Sequence, residues 1–146
     1  MKLVVLPLLT IVIVSLCSQP PPVGDVVENF MFETKSDSCS AGYSEVTGSA
    51  NVELDSTPEH PNLMRFSGCV ITPTPCHNLT ASYDVQRDFS LGDIVSITVT
   101  AVPNNDVCIQ VLDSKSFQGN FTINSLKYQV NIIYNGQEIG GMAAIA

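Results

Sequence analysis

Side chains that can do chemistry are concentrated in one stretch, CVITPTPCHN, which spans residues 69–78. It contains Cys69 and Cys76, then His77 beside the second cysteine, and it ends on the first residue of an N-glycosylation sequon. Residues of these types build metal sites, thiol–histidine catalytic pairs or disulfide scaffolds. Their spacing distinguishes the three.

A metal site or a catalytic pair fits this spacing poorly. Zinc ligands come in close pairs, with a second pair further along the chain, whereas six residues separate Cys69 from Cys76 and His60 and His77 are the two histidines of the sequence. Adjacent residues on a strand point to opposite faces, and thiol enzymes take their histidine from elsewhere in the fold. No nucleophile elbow, phosphate loop or zinc-protease helix motif occurs either. We therefore expect no catalytic residue, no metal ligand, no cofactor and no enzymatic activity.

A disulfide scaffold is the interpretation that remains. Four cysteines follow Cys17, and an even number in an exported chain predicts two disulfides with three connectivities open. We favour Cys76 with Cys108 and Cys39 with Cys69. The second bond would tie the N-terminal region to the second strand. Each bond contributes about 2–4 kcal/mol. The two prolines of the Thr-Pro-Thr-Pro repeat predict an extended connector or a sheet edge.

The N-terminal residues have the pattern of an export signal. Lys2 precedes an uncharged apolar run over residues 3–17, and Pro7 interrupts it. A membrane-spanning helix needs ~20 apolar residues, so a signal sequence is favoured over a permanent anchor. Cys17 is either the last residue before conventional cleavage or the lipidated residue of an envelope lipoprotein. Each alternative predicts an extracellular or cell-envelope location.

Charge restricts the partners. The chain has 14 acidic and 6 basic residues, a net charge of −8, whereas nucleic acids and anionic lipids require clustered lysine and arginine. We expect a protein or glycan partner at the cell surface, or self-assembly, with membrane attachment only through the N-terminal anchor. We expect no nucleic acid.

Two N-glycosylation sequons begin at Asn78 and Asn120, and both asparagines are candidate sites of modification. Asn120 falls on the polar register of its strand, with Phe121 expected to point inward. The acidic residues Asp84, Asp88 and Asp93 flank one turn, where we favour solvated turn residues over a calcium site.

The rest of the chain shows period-two alternation and no helical periodicity. The most regular segment, residues 95–101, alternates valine, isoleucine and alanine with serine and threonine. Seven or eight such segments predict an all-β, immunoglobulin-like antiparallel β-sandwich with two disulfides, or alternatively a small β-barrel. VCIQVL, residues 107–112, is expected to be a strand, and Asn135-Gly136 a hairpin turn.

The domain boundaries follow from these patterns. We place the signal at residues 1–17, a proline-rich linker with a first strand or donor strand at residues 18–37, and the sandwich at residues 38–146. The segment VVENFMFET, residues 26–34, is interpreted either as a strand of its own domain or as a donor strand that inserts into a neighbouring subunit.

The order VITPTPCHNLTASYDV, GDIVSITVTAV, VCIQVL, FQGNFTI and YQVNIIYNG resembles small exported proteins of archaea and bacteria that are uncharacterised. In these proteins a Thr-Pro-Thr-Pro-Cys-His stretch precedes a β-meander, and a later cysteine precedes a short aromatic-glycine segment. The resemblance covers roughly residues 66–136. The resemblance implies a sandwich and a Cys76–Cys108 bond, and it gives no information on activity.

The function expected from the sequence is a non-catalytic β-sandwich displayed outside the cell for binding, adhesion or structure. A filament subunit assembled by N-terminal strand donation is its most concrete version. One alternative is a secreted proteinase inhibitor that uses TPTPCH or STPEHPN as its loop. Another is a lipid-anchored, ligand-binding lipoprotein.

Overall fold

The computed structural model describes residues 25–35, 39, 47–88, 90–105 and 107–144. The predicted signal, Cys17 and most of the linker lie outside these residues. The described residues form eight strands and no helix: β1 Val27–Lys35, β2 Gly48–Asp55, β3 Leu63–Thr72, β4 His77–Asp88, β5 Gly92–Pro103, β6 Asp113–Ile123, β7 Tyr128–Tyr134 and β8 Gln137–Ala144.

The strands form two four-stranded sheets, in the orders β1-β6-β3-β2 and β4-β5-β7-β8, so the predicted two-sheet sandwich is confirmed. The strand order is not the ABED and CFG order of an immunoglobulin constant domain. The pair β5–β7 is parallel, which departs from the purely antiparallel sheets expected. The cause is the connection, because the chain leaves β5, crosses to the other sheet as β6, and returns to β7 in the original direction.

The period-two pattern places the core correctly. Alternate residues of β5 and β7 are buried between the sheets, namely Val95, Ile97, Val99, Tyr128, Val130, Ile132 and Tyr134. Burial of each large aliphatic side chain stabilises the fold by about 1.5–3 kcal/mol. Tyr134 also links the two sheets, because its hydroxyl donates a hydrogen bond of 2.8 Å to the carbonyl of Ile71 on β3. Burial raises the pKa of Tyr134, so this hydroxyl remains a donor at physiological pH.

Two phenylalanines occupy space left by glycines on the neighbouring strand. Phe66 of β3 pairs with Gly119 of β6, and Gly68 of β3 pairs with Phe117 of β6. A Cβ atom on Gly119 would lie 2.2 Å from the ring of Phe66, and one on Gly68 would lie 2.5 Å from the ring of Phe117. The large and small residues therefore alternate across the two central strands of this sheet.

The edge strand β1 packs on this arrangement through two further aromatic rings. The ring centroid of Phe30 lies 5.9 Å from that of Phe66, and Phe32 lies 5.8 Å from Phe117. Such aromatic pairs contribute about 0.5–1.5 kcal/mol beyond the area that they bury. β1 is thus held by side-chain packing as well as by its pairing with β6.

The strand register gives the sandwich two distinct ends. At one end, here called the terminal end, β1 begins opposite the end of β6, and β8 ends opposite the start of β7. At the other end, here called the tip, β3 and β5 end and β4 and β6 begin. The 11 residues of β6 separate the two ends by about 33 Å, at roughly 3.3 Å per residue. Both ends of the folded chain therefore lie at the terminal end.

The glycine–phenylalanine packing generates a stability prediction. We expect Gly119→Ala and Gly68→Ala each to lower the free energy of unfolding by about 1–3 kcal/mol. The added methyl group meets backbone as well as a ring, at 2.4 Å from the Met31 carbonyl oxygen and 2.6 Å from that of Ser49. Urea denaturation measures the change, with Ser67→Ala on the exposed face as the control. An unchanged midpoint in both glycine variants would contradict this packing.

Candidate functional site

The stretch CVITPTPCHN ends β3, crosses between the sheets at the tip and begins β4. Thr72 and Thr74 are buried there. The Thr72 hydroxyl donates a 3.0 Å hydrogen bond to the carbonyl of Thr74, and the Thr74 hydroxyl lies 2.9 Å from Nδ1 of His77. The segment is a fixed inter-sheet connector, and His77 serves its local structure.

Both disulfides join the cysteines in the favoured pairing, Cys39 with Cys69 and Cys76 with Cys108, with Cα–Cα distances of 6.0 and 5.9 Å. The sulfur of Cys76 is therefore not a free thiol beside His77. In the part of the chain that the structure describes, no three His, Cys, Asp or Glu side chains are grouped as metal ligands would be.

The prediction of a strand at VCIQVL is wrong. Residues 107–112, here called the tip loop, have no regular secondary structure and connect β5 to β6 at the tip. Val107 is fully exposed, and Ile109, Leu112 and Val111 are 68%, 66% and 49% exposed. Aliphatic side chains of a β-forming sequence are thus presented to solvent together.

The backbone of the tip loop is free for other contacts. It takes no part in the strand pairs on either side, β4–β5 and β3–β6, and no turn or loop hydrogen bond between described backbone groups reaches it. Its attachment to the β3–β4 connector is the Cys76–Cys108 bond, beside a 2.8 Å hydrogen bond from the Asn104 amide to the Cys76 carbonyl. The disulfide therefore sets the position of the loop.

Sequence reasoning missed this site because the alternation in VCIQVL is also the pattern of a half-buried strand. The position of Cys108 could have indicated a loop. Cys108 lies between Val107 and Ile109, and its favoured disulfide partner, Cys76, lies in the predicted connector and not in a predicted strand.

A second concave surface lies on the outer face of the β1-β6-β3-β2 sheet. This cleft of about 350 Å³ has mainly polar walls, which include Asn51, Arg65 and Gln118, together with the sequon residue Asn120. A glycan on Asn120 would begin inside this cleft. Phe121 is buried as expected, and Asn78 is exposed on the edge strand β4. Modification at either asparagine stays a prediction.

The acidic turn between β4 and β5 is organised by its own hydrogen bonds. Oδ1 of Asp88 accepts bonds from the Ser90 hydroxyl and from the amides of Leu91 and Ser90, the amide bonds being 2.9 and 2.7 Å long. These bonds, led by that of the Ser90 hydroxyl, lower the pKa of Asp88 below its ordinary value. Asp93 lies 3.6 Å from Arg87. These carboxylates bond within their own turn.

No protein-family model matches the chain, and no curated protein or solved structure matches it either. Among the described residues, no helix has the length and apolar character needed to cross a membrane. The geometry of the tip loop is therefore the starting point for a functional proposal.

The attachment of the tip loop generates a second prediction. In Cys76→Ser/Cys108→Ser, we expect the free energy of unfolding to fall by about 2–4 kcal/mol, and thermolysin to cleave residues 107–112 faster while the β-sheet circular dichroism persists. The reason is that the bond holds a loop whose backbone makes no strand pair or turn hydrogen bond with the other described backbone groups. Ser67→Ala, on the exposed face of β3, is the control. Equal cleavage in oxidised wild type and the double variant would contradict the tethering role.

Proposed function

We propose that this protein is a non-catalytic binding or adhesion module of the cell exterior, and that its contact surface is the tip loop. The observation that carries the proposal is the exposure of four aliphatic side chains on a loop that a disulfide holds in place. Exposed apolar patches on folded proteins mark interaction surfaces more often than chance.

The position of the loop supports display. β1, the first described strand, begins at the terminal end. A chain held to a surface by the lipidated Cys17 or by the apolar run would carry the tip loop on its far side, about 33 Å further out. The predicted proline-rich linker would extend that distance.

The proteinase inhibitor is the second candidate, and one observation favours it. Inhibition of this kind requires an exposed loop that is held rigidly, and the tip loop is exposed and tied to the connector by a disulfide. TPTPCH does not fit, since Thr72 and Thr74 are buried. STPEHPN is exposed and contains a turn between Thr57 and His60. Inhibition of any member of a panel of serine, cysteine and metalloproteases by micromolar protein would support this candidate. Full protease activity throughout the panel would exclude it.

Strand donation would require β1 to detach from β6. In the structure β1 completes its own sheet, with Phe30 and Phe32 packed against the core. The bond of Cys39 to Cys69 holds the chain four residues after Lys35, which limits how far a released strand could reach. These contacts of β1 favour the tip loop over β1 as the proposed contact element.

The proposed contact surface has a matched test. Fluorescent beads carrying the protein through an N-terminal biotin are mixed with cells of the source organism, and bound beads are counted by flow cytometry. We expect Ile109→Glu to reduce binding about tenfold or more, the effect of about 1.4 kcal/mol, because a buried unpaired carboxylate is costly.

The control for this test is Leu126→Glu. Leu126 is 92% exposed but lies between β6 and β7, at the terminal end. We expect this variant to bind like wild type. Equal loss in both variants would mean that added negative charge, and not the tip loop, controls binding, and would overturn the proposal.

A further inference from the structure

We infer that the partner of the tip loop is a second copy of this chain, and that two copies meet tip to tip about a twofold axis. The inference rests on the proposed function, because it uses the same loop. It goes further by naming the occupant of that surface and the symmetry of the contact.

Charge selects the tip as the surface that two copies can share. The chain carries a net charge of −8, and exposed carboxylates lie on the outer strands of both sheets: Glu28, Glu33, Glu53, Asp84 and Glu138. Side-by-side contact would bring these groups together. The tip loop itself contains no charged residue; Asp106 and Asp113 flank it in sequence, and Asp113 lies 3.6 Å from Lys115. Tip-to-tip contact also points the two acidic bodies away from each other, which weakens their repulsion because the Debye length is only about 8 Å at physiological salt.

The loop sequence is self-complementary under a twofold axis. In an isologous contact each residue meets its own equivalent or that of a symmetry-related position. An axis through Ile109 would place Ile109 against Ile109 and Val107 against Val111. These are β-branched pairs of the kind that stabilise adjacent extended segments. The backbone of residues 107–112 makes no turn or loop hydrogen bond to other described backbone groups, and we expect it to form hydrogen bonds between the two copies.

The size of the loop and the location of the chain ends indicate how such a contact works. A stable interface uses about 20–30 residues a side, whereas the tip loop has six, so a single pair of copies binds weakly. In each copy β1, the first described strand, begins at the end opposite the contact. Two copies could therefore be anchored in two separate surfaces and still meet. Many weak contacts between arrayed copies then give strong attachment by multivalency.

A bead-clustering experiment tests the inference. Streptavidin beads are coated with the chain lacking residues 1–17, biotinylated at its N-terminus, and cluster size is followed by light scattering. We expect wild-type beads and Leu126→Glu beads to cluster. For Ile109→Glu beads we expect a cluster size reduced by about tenfold or more, because the twofold axis places like charges together. Val107→Glu is a second tip variant, and circular dichroism confirms that each variant is folded.

Charge reversal makes the test specific for a second copy. Beads with Ile109→Lys should remain dispersed alone, yet form mixed clusters with Ile109→Glu beads of another colour, since opposite charges then meet across the axis. Failure of wild-type beads to cluster, or absence of the mixed clusters, would overturn the inference. If wild-type beads stay dispersed but still bind cells through Ile109, the proposed function stands and the partner is a different molecule.

Discussion

The packing of Phe66 and Phe117 over two glycines is the constraint on which the rest of the sandwich depends. Because Gly119 and Gly68 lack side chains, the two rings lie across the junction of β3 and β6. Those strands are the centre of their sheet, with β1 on one side and β2 on the other. The aromatic layer also receives the rings of β1. Loss of this fit would loosen the sheet that carries Cys69 and, through the β3–β4 connector, the tip.

Much of the architecture could be predicted from local pattern. Alternation in β5 and β7 identified their buried faces, and Asn135-Gly136 forms the predicted turn with positive φ at both residues, 51° and 76°. The parallel pairing of β5 with β7 could not be predicted, since it depends on β6 joining the other sheet, a choice made by contacts distant in sequence. The local sequence pattern indicates where a strand lies, but it does not indicate which strand pairs with it.

The candidate site was predictable only in part. Cys76 and Cys108 were paired correctly from the sequence, which located a fixed point at one end of the fold. The tip loop was not recognised, because hydrophobic alternation reports what a segment can pack against and not whether its own domain supplies that surface. VCIQVL has the sequence pattern of a strand, but among the described residues it pairs with no other strand.

The pairing of β1 with β6 has a consequence for how the chain folds. Val27 meets Ile123, so the first strand has no partner until nearly the whole sandwich has been synthesised. Such non-local topologies have high contact order and fold slowly. The N-terminal strand is therefore among the last elements to join the fold. The two disulfides can close only after the segments that they join have met.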